Sequence, residues 1–429
     1  MRSLRTGLAA FVAFLIEILA ACSDPTTSVM QPPPPPPVSV QVAYCPGLEP
    51  AWVAFQDGDG AWTRAMPTTA NGRVTFAANL TSDRAGIATV TLSSGGLTSL
   101  HVLLGAPDEL GIVGDTSPRF CGPPISKSLV GSVAGLDTNE FAIIRAGSEA
   151  QALGFPNIAF ELHVVPPGPQ DILATQVSPR GATDTIPKFI LRRGVDLPDG
   201  ATLPVLDFGS AEAFAPAVAN ISLTGSGDGA SISTRLVTSG FNSTYGVVTG
   251  QDLGTVRPYF AIPEAQLLPG DLQVLHASGH GATPNSARSA ARVFRAVQDY
   301  TIALGPDVVA PTFATVATTP TLRLAAQFVN QTEYGRLTSV TFQEDGTNTR
   351  LVIVSMTQDY ALHSGGGYDL VVPELTGVAG FQPAWALSPT NSLRWAASRV
   401  GGTFGLGIDP VLFDGATQRG AFISDVLTP

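Results

Sequence analysis

The stretch GRVTFAANL, residues 72–80, decides how the chain is read. Val74, Phe76, Ala78 and Leu80 fall on one side of an extended backbone and Arg73, Thr75 and Asn79 on the other, the alternation of a half-buried strand. Asn71-Gly72, just ahead, tolerates positive φ and marks a turn. Further out, Ala88, Val90 and Leu92 alternate with Thr89, Thr91 and Ser93. Gly95-Gly96 breaks that run before Leu100, Val102 and Leu104 resume it. The pattern predicts neighbouring strands joined by tight turns.

Composition extends this reading to the whole chain. Of 429 residues, 45 are Gly and 35 are Pro, which leaves little room for long helices, while 44% are apolar, enough for several cores. The expected fold class is all-β: tandem antiparallel β-sandwich modules. The net charge is −11 and no basic tract occurs, so nucleic acid is not an expected partner.

A weak internal repeat sets the module length. Asp171-Ile172, Asp271-Leu272 and Asp369-Leu370 end similar turn patterns at offsets of 100 and 98, and Gly181-Ala182-Thr183 recurs as Gly281-Ala282-Thr283. About 100 residues suits a seven-stranded sandwich. The predicted modules are 38–125, 126–215, 216–312 and 313–429. SARSAARVFRAVQ, residues 286–298, has apolar residues at helical spacing. Its counterpart one repeat earlier, PKFILRRGVDL, looks like strand, and the repeat therefore favours strand here too.

The first 22 residues, MRSLRTGLAAFVAFLIEILAAC, place Arg2 and Arg5 before an apolar stretch from Leu8 to Ala21. That stretch is too short for a helix crossing the hydrocarbon, which needs about 20 apolar residues, and it has the grammar of a signal peptide. Leu19-Ala20-Ala21-Cys22 resembles the lipobox of bacterial lipoproteins, with Glu17 as a departure inside the apolar region. The resemblance implies a signal peptide over 1–21, lipid attachment at Cys22, and a cell-envelope address, with Ser23 favouring the outer membrane. Residues 22–37 then read as a Pro-rich tether, because Pro32–Pro37 favour polyproline II at about 3.1 Å per residue. In module length and strand pattern the body resembles the immunoglobulin-like and fibronectin-like repeats of bacterial envelope proteins.

Candidate sites are few. Cys45 and Cys121 lie in one predicted module, and in an exported chain such thiols are expected to pair as a disulfide. Asp57-Gly58-Asp59-Gly60 reads as the acidic turn of a hairpin, since Thr68 stands where a calcium loop needs Glu. His276 and His280 are four apart without an HExxH frame, and Gly279 and Gly281 argue for a strand end, so no metal is expected. No GxSxG elbow or P-loop occurs, and neither a catalytic residue nor a cofactor is expected. Trp385 and Trp395, in Gly- and Pro-rich surroundings, are the candidate ligand-binding aromatics, weighed against core packing. The resulting expectation is a lipid-anchored, noncatalytic envelope protein, structural or ligand-binding, with an envelope protein or glycan as partner. The alternative is an accessory protein or hydrolase acting on envelope polysaccharide or peptide.

Overall fold

Glycine and proline punctuate the chain into thirty strands and two short α-helices among the described residues, so the fold is all-β. The computed structural model describes residues 37–429 apart from 71, 94, 114–126, 148–149, 181–182, 226–229, 251–255, 345–348, 390, 404–411 and 428–429. Cys22, the signal peptide and Cys121 lie outside the described residues. Residues 38–429 form one compact unit.

The first stretch contains β1 (Val38–Tyr44), β2 (Trp52–Asp57), β3 (Thr63–Arg64), β4 (Thr68–Ala70), β5 (Arg73–Leu80), β6 (Ala85–Leu92), β7 (Thr98–Gly105) and helix α1 (Pro107–Val113). GRVTFAANL is β5, with Val74, Phe76 and Leu80 buried as its alternation requires. The second holds β8 (Lys127–Gly131), β9 (Val133–Ala134), β10 (Phe141–Ala146), β11 (Ala150–Gly154), β12 (Phe160–Val165), β13 (Gln170–Arg180), β14 (Thr183–Thr185), β15 (Phe189–Val195) and β16 (Leu206–Asp207). The third holds β17 (Ala217–Thr224), β18 (Ala230–Thr238), β19 (Phe241–Gly250), β20 (Val256–Ala261), β21 (Leu272–His280), β22 (Ser286–Phe294) and β23 (Tyr300–Ala303). The ambiguous segment SARSAARVF is therefore strand, paired on both sides. The fourth holds β24 (Thr312–Ala317), β25 (Arg323–Phe328), β26 (Leu337–Glu344), β27 (Arg350–Thr357), helix α2 (Gln358–His363), β28 (Tyr368–Val371), β29 (Leu393–Gly402) and β30 (Thr417–Leu427).

One sheet joins three of these stretches. Its order is β19-β18-β21-β22-β30-β29-β26-β27-β7-β6-β2-β3, so hydrogen-bonded ladders cross the boundaries read from the repeat. β22 pairs antiparallel with β30, and β27 pairs parallel with β7.

Where this sheet passes through β2, β6 and β7, both of its faces are buried. Val53, Phe55, Ile87 and Leu103 pack toward β1 and β5. Trp52, Ala54, Val90, Leu100 and Val102 face the other way, into a core shared with Leu324, Leu370, Val354 and Phe342 of the fourth stretch. Period-two alternation persists here, but apolar side chains are buried on both faces, and each large one so covered contributes about 1.5–3 kcal/mol.

The sheet β24-β25-β28 forms the layer over that second face. The second and third stretches meet at Leu173, Phe189, Leu236, Phe241 and Ile262, a small core of their own. Beside it Arg193 bridges two carboxylates, Asp171 at 2.9 Å and Asp271 at 2.6 Å. These are equivalent positions of the sequence repeat, and both are buried.

Candidate functional site

A cross-strand row runs from β2 to β27. Gln56 pairs with Gly86, Gly86 with Leu104, and Leu104 with Met356. Gly86 leaves a gap in this row that the Trp62 indole fills, for a Cβ built at Gly86 would lie 2.7 Å from the ring. Above the row opens a cleft of ≈ 620 Å³ whose floor is Val102, Leu104 and Met356.

One wall is the β2–β3 hairpin and the loop that follows β5. Gly58 turns the hairpin with φ +56°, and Gln56 Nε2 donates to the Gly60 carbonyl at 2.8 Å. The Asp57 carboxylate accepts from the Thr81 amide at 3.0 Å, the Thr81 hydroxyl at 2.7 Å and the Ser82 amide at 2.8 Å. Partial burial pushes its pKa up, but these bonds outweigh it and hold the carboxyl below its ordinary range. The acidic hairpin turn thus ties two loops together. Its second carboxylate, Asp59, pairs with Arg84 at 2.6 Å, and the hydrogen bond raises the guanidinium pKa. Arg84 also lies over the Tyr360 ring, 5.6 Å from its centroid.

The opposite wall comes from the fourth stretch. Thr357 caps α2 by accepting from the Tyr360 amide at 3.4 Å. Gly365 and Gly366, at φ +100° and +83°, then turn the chain into β28. Burial raises the Tyr360 pKa. Asp369, Val371 and Glu374 line this side. Arg323 donates to the Val372 carbonyl at 3.0 Å and stands 3.8 Å from Glu374, whose pKa is lowered by the Thr376 hydroxyl. Asp369 is exposed and has no ion-pair partner among the described residues.

Trp385 and Trp395 do not form an exposed platform. Each keeps 7% of its surface. Trp385 packs edge-on against Phe381, Phe381 against Trp52, and Trp395 against Phe313, all within the shared core. The aromatics at the cleft are Trp62 and Tyr360. Neither Trp62 nor Arg84, Tyr360 and Arg323 was singled out as a site residue, because the parallel pairing of β7 with β27 that gathers them leaves no local spacing to read.

The histidines stay apart. His276 and His280 share one strand at four-residue spacing, about 13 Å of extended chain, too far to share an ion. Burial lowers the His276 pKa. His163 Nδ1 lies 3.4 Å from the Ser128 hydroxyl and 3.5 Å from Glu161. Both contacts fall on one ring nitrogen, so no relay from carboxylate through imidazole to hydroxyl exists there. Cys45 is buried just after β1, and its expected partner Cys121 lies outside the described residues. No helix among the described residues is long and apolar enough to cross a membrane.

No family model matches the chain, and no curated protein matches it in sequence. Among solved structures the Bacillus anthracis TIE protein is similar at 9% identity and a TM-score of 0.15, over 89% of this chain. The chain spans 66% of that protein's length, and a likeness this slight carries no argument about fold or function.

Proposed function

We propose that the chain is a noncatalytic cell-envelope protein, tethered by acyl chains on Cys22, that binds a ligand in the cleft beside Trp62. The cleft carries the binding part of this reading. Its ≈ 620 Å³ falls within the usual range for ligand sites, about 300–1,000 Å³, and its lining sets Val102, Leu104 and Met356 beside the charged groups of Asp59, Arg84, Arg323, Asp369 and Glu374. Two of its carboxylates are engaged, Asp59 by Arg84 and Glu374 by Thr376, which suits recognition better than proton transfer. The Leu19–Cys22 motif supports the address, and acyl chains anchor stably when two or more are attached. A bridge between Cys45 and Cys121 belongs to the same reading, since an oxidising compartment would preserve it.

Two measurements test it. Intact-mass spectrometry on protein from its host should give a chain beginning at lipid-modified Cys22, with the two remaining thiols unreactive. An unmodified N-terminus overturns the tether. The full-length protein should retain envelope peptide or glycan fractions, and Trp62→Ala should weaken that binding roughly tenfold, the scale of losing one stacked aromatic contact. Equal binding by the variant removes the cleft from the function, and turnover of any fraction overturns the noncatalytic reading.

A further inference from the structure

We infer that the cleft accepts an extended polypeptide as a fourth strand on the open edge of the β24-β25-β28 sheet, with a basic side chain set against Asp369. This inference rests on the cleft being a binding site and names its ligand class. Among the described residues β28 is the last strand of its sheet and pairs only with β25. The Val372 amide donates to the Leu324 carbonyl. In an antiparallel ladder this fixes the phase: Leu370 and Tyr368 also turn their main-chain groups toward β25, whereas Asp369 and Val371 turn theirs outward. Asp369 and Val371 are the β28 residues that line the cleft.

The floor fits the same occupant. Val102, Leu104 and Met356, themselves packed into the shared core, line the cleft beside this edge, so alternate side chains of an added strand would point toward them while the others reach the rim. Trp62 closes the far side over Gly86. The charge is complementary to a basic segment: Asp59, Asp369 and Glu374 stand against Arg84 and Arg323, and Asp369 is the carboxylate left without an ion pair among the described residues. An open row of amide and carbonyl groups above an apolar floor recognises main chain, which a glycan does not offer.

The test uses the full chain and blocked ten-residue peptides alternating Val with Lys. Its controls are the same peptides N-methylated at alternate residues, peptides alternating Val with Glu, and chitohexaose. The Lys peptides should bind, N-methylation should weaken binding roughly tenfold or more, and binding should slow hydrogen exchange at the Asp369 and Val371 amides. Val371→Pro removes an outward amide without touching the β25 ladder, a position where an edge strand tolerates proline, and it should abolish binding. Asp369→Lys should transfer preference to the Glu peptides, which keeps the test decisive if the proline variant fails to fold. Indifference to N-methylation, or no peptide binding at all, overturns strand addition. Chitohexaose binding alone also overturns it while leaving the cleft a binding site, whereas loss of every ligand, envelope fractions included, removes both.

Discussion

Single residues set the energetics where charge is buried. Arg193 lies between Asp171 and Asp271, and Asp171 further accepts from the Gly194 amide and the Thr238 hydroxyl. Removing the cation leaves two buried carboxylates facing each other. Arg193→Met should therefore cost about 3–5 kcal/mol in urea unfolding, well above the loss of an exposed pair. Glu109 in α1 behaves oppositely. Burial raises its pKa, although its carboxylate accepts from the Ala106 amide at 3.2 Å. The folded state thus holds this proton more tightly than the unfolded chain does, and the group loses stability as pH rises from the ordinary glutamate range toward the raised value. Glu109→Gln should be at least as stable as the parent at neutral pH. Its advantage should vanish on acidification below the ordinary glutamate pKa, and parallel thermal melts across pH would show this.

At the scale of elements, Gly86 in β6 and the Trp62 indole work as a pair. Gly86→Ala forces the ring away and presses on Leu104, whose side chain lies 3.1 Å from the added carbon. The variant should stay folded at a cost of about 1–3 kcal/mol, lose affinity at the cleft, and show one indole newly open to acrylamide quenching. What the sequence discloses also divides at this scale. The strands of residues 72–104 were legible because each alternates and ends at Gly, Asn or Ser, and β22 yielded to the repeat despite its helical spacing. The cleft was not legible. Its walls come from residues 56–84 and 323–374, and only a parallel ladder between β7 and β27 sets them side by side. Of the two readings weighed for Trp385 and Trp395, the structure takes core packing, since the aromatics around 381–395 fill the second core.

For the whole molecule, the order of the long sheet matters more than the order of the chain. β30 lies between β22 and β29, so it binds the third stretch to the fourth. Deleting residues 417–427 should open two strand edges together and expose Ala290, Ala397 and their neighbours. Limited proteolysis should then cut within both stretches, whereas trimming confined to the fourth would contradict this role.

β30's place also puts a delay into biosynthesis. Ribosomes deliver about 5–20 residues per second, so β22 emerges on the order of ten seconds before the strand that will cover its edge. During that interval a nascent chain carries an unsatisfied β-margin, open to capture by a neighbour's strand. A holdase that shields residues 286–294 until β30 emerges would raise the yield of native protein, and its absence would favour aggregates.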